Sequence, residues 1–332
     1  MKLGKIMKKG SAVALICALA LPVLTLVNTQ AADRIETGRL CSLTVKVDTE
    51  STAGDFKEDL GQMTIPVALY KVADVDASGR YTELDGFKGL GLDGISASTT
   101  AQEWLDMAEA AYGKITDETQ KTKEIFVAGG TGSVGNLATG MYLVVPEETF
   151  NQDYSYKYTF TPYLTALPGN LYAQGGTDEW LYDPVIGLKA EREEQYGSLI
   201  IEKTLSNYNE SLGSVDFVFQ VEAVKNGETV RSTVERIRYN GAGTQSVVVE
   251  KIPVGAQVTV TEVYSGASYK PEGEVVQETT IVAQQLVDAG QAVAATVSFN
   301  NKYDDRLIPG TGVVNHFDPP QEEGDDWNWS QK

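Results

Sequence analysis

Lys203, Glu262 and Asn301 lie far apart in the chain, yet each ends a short segment of alternating apolar and polar residues. In Ser198-Leu199-Ile200-Ile201-Glu202-Lys203, the period of two of an extended strand puts Lys203 on the face of Leu199 and Ile201, with Glu202 opposite. In Val258-Thr259-Val260-Thr261-Glu262, Glu262 shares the face of Val258 and Val260. In Val297-Ser298-Phe299-Asn300-Asn301, Asn301 follows Val297 and Phe299. Three strands thus each aim one polar residue at an apolar interior. Burying such groups unpaired is costly, so they are expected to meet. Desolvation disfavours both charges, which permits a neutral amine beside a protonated carboxylic acid. A neutral amine is a nucleophile, and an acid bonded to a carboxamide polarises its carbonyl and shuttles protons. The product would be an amide bond between Lys203 and Asn301, formed with loss of ammonia. The same parity also serves an ordinary buried ion pair with a hydrogen-bonded asparagine.

The elements that must position these residues are strands. Alternating or apolar runs occur at Leu43–Val47, Ile65–Val72, Gly140–Val145, Tyr156–Leu167 and Val185–Leu188. A second series follows at Leu199–Leu205, Phe217–Val224, Ser246–Ile252, Val258–Tyr264 and Ala292–Phe299. Spaced by Gly, Asn, Asp and Pro turns, they predict an all-β chain of two tandem immunoglobulin-like β-sandwich domains. One helix interrupts the first: Thr100 and Glu103 form a capping box, Trp104, Leu105, Ala108, Ala111 and Tyr112 a stripe, and Gly113 an end. The charged run Lys189–Glu194 reads as a linker. The expected domains are residues 33–194 and 197–304, followed by an acidic, flexible tail at 305–332.

Residues 1–32 read as a secretory signal peptide: Lys2, Lys5, Lys8 and Lys9 precede an apolar run from Ala12 to Val27, and a small-residue site falls at Ala31-Ala32. Its removal takes Cys17 and leaves Cys41 as the one thiol, so no intrachain disulfide and no membrane span are expected in the mature chain. In 332 residues the formal charge is −19, which argues against nucleic acid or an anionic membrane as partner. With the one histidine, His316, in the polar tail, zinc sites built from His and Cys and most hydrolytic triads are excluded, and no metal or cofactor is expected. Gly130-Thr131-Gly132-Ser133-Val134-Gly135 matches a dinucleotide fingerprint, but another strand follows it where a helix is needed, so a glycine-rich hairpin loop is expected. Asp74, Asp76, Ser78, Gly79 and Asp85 echo a calcium loop, yet strands flank them and a turn fits better.

The segments around Lys203, Glu262 and Asn301 (Gly197-Ser-Leu-Ile-Ile-Glu-Lys203-Thr, Gly255-Ala-Gln-Val-Thr-Val-Thr-Glu262 and Val297-Ser-Phe-Asn-Asn301-Lys-Tyr) resemble the first strand, acidic motif and last strand of a collagen-adhesin B-type (CnaB) domain. Such domains occur in surface adhesins and pilus shafts of Gram-positive bacteria and form this isopeptide bond spontaneously. The resemblance implies Lys203 as nucleophile, Asn301 as electrophile and Glu262 as proton shuttle. The first unit resembles the N-terminal domain of a sortase-assembled pilin, with Val47 where the second has Lys203 and Ala190 where it has Asn301. Lys46 and Lys189 then face outward, so no equivalent bond is expected there, despite the acidic Glu147.

Shaft pilins of this kind carry a Trp, eight residues, then a Lys that a sortase joins to the neighbouring subunit; Trp180 and Lys189 have that spacing, although Pro184, Gly187 and Leu188 depart from the usual flanking pattern. Ile308-Pro309-Gly310-Thr311-Gly312 resembles a sorting motif cleaved after Thr311, but the residues up to Lys332 are polar and acidic where a hydrophobic stop is usual. The expectation is a secreted, cell-surface pilus subunit whose partners are other pilin subunits and a sortase. It would not be an enzyme beyond its self-directed bond. The alternative is an adhesin that binds a host or matrix protein through the N-terminal domain.

Overall fold

In this computed structural model, residues 34–47, 54–96, 98–170, 179–304, 315–318 and 328–331 are described. The expected signal at 1–32 and the motif from Ile308 to Gly312, with Thr311, lie outside them. The chain divides into two units, Met1–Gln195 and Tyr196–Lys332.

The strands of the first unit are β1 (Cys41–Val47), β2 (Thr64–Val75), β3 (Tyr81–Glu83), β4 (Lys123–Ala128), β5 (Thr131–Leu137), β6 (Gly140–Pro146), β7 (Thr149–Phe150), β8 (Tyr156–Phe160), β9 (Tyr163–Leu167), β10 (Gly169–Asn170), β11 (Trp180–Leu181), β12 (Val185–Leu188) and β13 (Ala190–Glu194). They form a sheet in the order β12–β1–β5–β4–β2–β6–β9 with β3 on β2, a smaller sheet β13–β8–β7, and the pair β10–β11. Apolar side chains pack on both faces of the large sheet. Leu43, Ile65, Val67 and Tyr142 belong to one core cluster, while Tyr70, Val72, Met141 and Leu143 belong to another. Burial on both faces explains why β2 and β6 are near-continuous apolar runs.

The expected helix, α2 (Ala101–Tyr112), follows a shorter α1 (Asp55–Gln62). Glu103 N–H donates to Thr100 Oγ1 at 3.2 Å, and Thr100 N–H donates to Glu103 Oε2 at 2.6 Å, which closes the capping box. Trp104, Ala108 and Ala111 are buried, whereas Tyr112 lies exposed. Helix α1 was not expected, because Phe56 and Leu60 alone are too few to make a periodic stripe.

Three further readings change. The run Tyr156–Leu167 is two strands in different sheets, broken at Thr161-Pro162, since proline has no N–H to give a ladder. The supposed linker forms β13, paired antiparallel with β8 from Ala190↔Phe160 to Glu194↔Tyr156. The glycine-rich loop shrinks to Gly129-Gly130, both left-handed (φ 60° and 78°), as a two-residue hairpin turn of primed type prefers. At the calcium-like segment Asp76 Oδ1 accepts from Ser78 N–H at 2.8 Å and Arg80 N–H at 3.0 Å, which makes it a turn.

The second unit contains β14 (Tyr196–Leu205), β15 (Val215–Lys225), β16 (Glu228–Tyr239), β17 (Gly243–Pro253), β18 (Gln257–Tyr264), β19 (Tyr269–Pro271), β20 (Val276–Thr280) and β21 (Ala295–Tyr303), with a short helix α3 (Gln284–Asp288) before the last. Two four-stranded sheets result, β17–β14–β21–β19 and β16–β15–β18–β20. Leu199, Ile201, Val297 and Phe299 from the first sheet and Phe217, Phe219, Val221, Val258 and Val260 from the second share one core cluster. This is the sandwich that strand parity implied. Strand β16 was not expected: ten of its residues are exposed or half-buried, and only Ile237 and Tyr239 reach the core.

Beyond it, within residues 305–332, β22 (Asn315–Asp318) pairs antiparallel with β23 (Asn328–Gln331). Among the described residues no helix is long and apolar enough to cross a membrane.

Candidate functional site

Parallel pairing of β14 with β21 sets Lys203 opposite Phe299 and Leu205 opposite Asn301. Lys203 and Asn301 therefore project from one face of one sheet, two residues out of register. Glu262 comes from β18 in the facing sheet and meets both across the interior. Lys203 and Asn301 are 0% exposed and Glu262 is 7% exposed. Lys203 Nζ donates to Glu262 Oε1 at 3.0 Å, and Asn301 Nδ2 donates to the same oxygen at 2.7 Å. Asn301 Nδ2 also points to the carbonyl of Ser265 at 3.3 Å. That carbonyl lies just before Gly266, whose φ of +77° favours glycine.

Aromatic rings wall the amine. Lys203 Nζ is 4.8 Å from the Phe217 ring centroid and 5.9 Å from that of Phe219. Burial pulls the Lys203 pKa below the ordinary lysine value, while the hydrogen bond and charge of Glu262 pull the other way. An ammonium here has three N–H groups and one carboxylate oxygen to give them to, with ring faces as weak substitutes. A neutral amine leaves less unsatisfied, so the geometry favours the form that carries a lone pair.

The carboxamide is poised in a complementary way. Asn301 Oδ1 is buried and has no hydrogen-bond partner among the described residues.

The three residues singled out by parity are thus brought together. The first unit repeats the framework with apolar residues at two of the positions: β1 runs parallel to β12 with Val47 opposite Leu188, and Ala190 follows two residues later, the offset seen between Phe299 and Asn301. Lys46 and Lys189 are exposed, and Glu147, also exposed, bonds Lys121 at 3.1 Å. Lys189 sits between β12 and β13. Cys41 is buried and unpaired, and desolvation pushes its thiol pKa up to about 11, which keeps it in the unreactive thiol form. No group of three His, Cys, Asp or Glu side chains among the described residues could hold a metal ion.

Sequence reasoning missed the rings of Phe217 and Phe219, the Ser265 carbonyl, and Tyr239, whose hydroxyl contacts the Lys203 backbone. The alternation of Phe217 and Phe219 with Val218 carried the ring signal; the Ser265 contact carried none.

Fold and site together define an all-β chain whose second sandwich encloses a buried Lys–Glu–Asn cluster. A family profile described as "Domain of unknown function (DUF5979)" matches residues 199–304, the segment that holds all three residues. No curated protein matches the chain. Solved structures similar to it include a streptococcal ancillary pilin (12% identity, 80% of this chain and 63% of that one, TM-score 0.24). Others are the major pilin SpaD of Corynebacterium diphtheriae (14%, 83% and 100%, 0.25) and an adhesin of Mobiluncus mulieris containing disulfide, isopeptide and ester cross-links (16%, 73% and 84%, 0.25). The chain spans less than two thirds of the streptococcal pilin's length.

Proposed function

We propose that Lys203 and Asn301 join in a self-formed amide bond, with Glu262 as proton shuttle, and that the chain is a structural subunit of a Gram-positive surface pilus. The observation that carries this reading is the convergence of an amine, a carboxyl and a carboxamide in an interior otherwise lined by apolar side chains.

The reaction balances without a co-reactant. The lone pair of neutral Lys203 Nζ attacks Asn301 Cγ, and the negative charge passes to Asn301 Oδ1. Glu262 hands its proton to Asn301 Nδ2 and takes one from the attacking nitrogen, so it ends protonated as it began. The Cγ–Nδ2 bond breaks, ammonia leaves, and the Nζ–Cγ bond remains. One oxygen, Glu262 Oε1, touches both the nitrogen that attacks and the nitrogen that departs, which suits it to this shuttle.

Such a bond ties the sandwich's first strand, β14, to its last, β21. Tension applied at the unit's two ends then falls on a covalent link, and the ladders between them are shielded from unzipping. This suits a load-bearing subunit. Lys189, exposed and spaced from Trp180 as in shaft pilins, and Thr311 in the sorting-like motif are the proposed inter-subunit linkage points.

Co-expression with a pilin-class sortase tests the assembly role. A ladder of covalent multimers that disappears in Lys189→Ala supports a shaft subunit. A chain that stays monomeric and binds a matrix protein supports an adhesin instead.

A further inference from the structure

The antiparallel ladder between β14 and β17 has an insertion at the reacting lysine. Lys203 is the register partner of Gln245. Between them stands the hydroxyl of Tyr239, which accepts from Gln245 N–H at 3.0 Å and donates to the Lys203 carbonyl. Tyr239 ends β16, a strand of the opposite sheet, and is 0% exposed. Its hydroxyl therefore fastens one sheet to the other at the residue that carries the amine.

We propose that Tyr239 is a positioning residue for the Lys203–Asn301 bond: its hydroxyl, wedged into the ladder, fixes the backbone from which the lysine side chain springs. The proposal rests on the cross-linking reading above. A tilt of the Lys203 backbone is carried out to Nζ along a four-carbon stem, so a small change at the carbonyl moves the nucleophile relative to Asn301 Cγ. Phe217 reinforces the link, because its ring meets Tyr239 edge-on (5.5 Å, 89°) and also lies 4.8 Å from Nζ. The aromatic that walls the amine is thus held by the residue that holds the backbone.

Tyr239→Phe keeps the ring and its packing. Without the hydroxyl, Lys203 C=O and Gln245 N–H are free to close on each other as an ordinary ladder pair, so the sandwich survives while the lysine shifts. The test uses the full chain, synthesised in a cell-free reaction and sampled over time by intact mass, with far-UV circular dichroism reporting folding. Wild type is expected to lose one ammonia, and folded Y239F to lose it about tenfold more slowly or worse, the scale of a misplaced nucleophile. 4-Aminophenylalanine at position 239, which keeps a polar hydrogen on the ring, is expected to restore the wild-type rate.

Folded Y239F that cross-links as fast as wild type overturns the positioning role and leaves the bond standing. If Y239F does not fold, the 4-aminophenylalanine chain decides: a wild-type rate supports the role, and a rate as slow as an un-positioned lysine overturns it. Wild type that keeps its ammonia overturns the bond, and this role with it.

Discussion

Lys203 and Asn301 stand on adjacent parallel strands, two residues out of register and on one buried face, with both side chains bonded to the same oxygen of Glu262. Parallel pairing of the first and last strands brings together residues nearly a hundred positions apart. The facing sheet supplies the carboxyl that neither strand carries.

Removing that carboxyl should uncouple folding from chemistry. Glu262→Ala is expected to keep its ammonia in an intact-mass measurement. It should also be less stable by about 1–3 kcal/mol than Asn301→Ala, because it strands a buried amine whose partner is gone. Chemical denaturation of the two variants checks the difference; equal stability would show that Glu262 does not satisfy Lys203.

A pH dependence follows in protein that cannot cross-link. Burial lowers the Lys203 pKa in the folded state, so between that depressed value and the ordinary 10.5 the unfolded chain binds more protons. Stability contributed by this group is therefore fully present above 10.5 and is lost as pH falls through the folded value. Asn301→Ala should gain stability with rising alkaline pH relative to Lys203→Met/Asn301→Ala, as read by urea unfolding of both. Parallel pH curves would contradict a desolvated amine.

Gly266 is expected to resist substitution. Its φ is +77°, and a Cβ there would meet Val215 Cγ2 at 2.5 Å, next to the Ser265 carbonyl that faces Asn301. Gly266→Ala should cost at least about 1 kcal/mol and slow the loss of ammonia. A variant with wild-type stability and mass kinetics would remove Ser265 from the site.

The first unit holds a hydrogen-bonded cluster of its own. Tyr158 donates its hydroxyl hydrogen to Asp59 Oδ2 at 2.6 Å, and Asn151 Nδ2 donates to the same atom at 3.1 Å, tying β8 to α1. Asp59→Ala leaves a buried phenol without its acceptor, at a cost of about 1–3 kcal/mol. Calorimetry should show the first unit's transition move down while that of the second stays; a shift in both would tie their stabilities together.

The legible part of the molecule was what strict alternation wrote. β14, β18 and β21 each keep a period of two, so the inward direction of Lys203, Glu262 and Asn301 could be read before any contact was known. β16 could not be read, because both its faces are largely polar until Ile237. α1 was too short to show a stripe, and β13 looked like a linker because an edge strand of a small sheet can carry Glu191, Arg192 and Glu193 in solvent. The Tyr239 insertion was equally hidden: a hydroxyl that enters a ladder from the opposite sheet depends on a three-dimensional approach that leaves no spacing in the sequence.

The most direct test is the intact mass of the purified wild-type chain beside Lys203→Ala and Asn301→Ala, each compared with the mass its sequence requires. A wild-type deficit of one ammonia, absent from both variants, is the predicted result. A folded wild-type chain at its full sequence mass would contradict the bond and leave the three residues as a buried ion pair with a hydrogen-bonded asparagine.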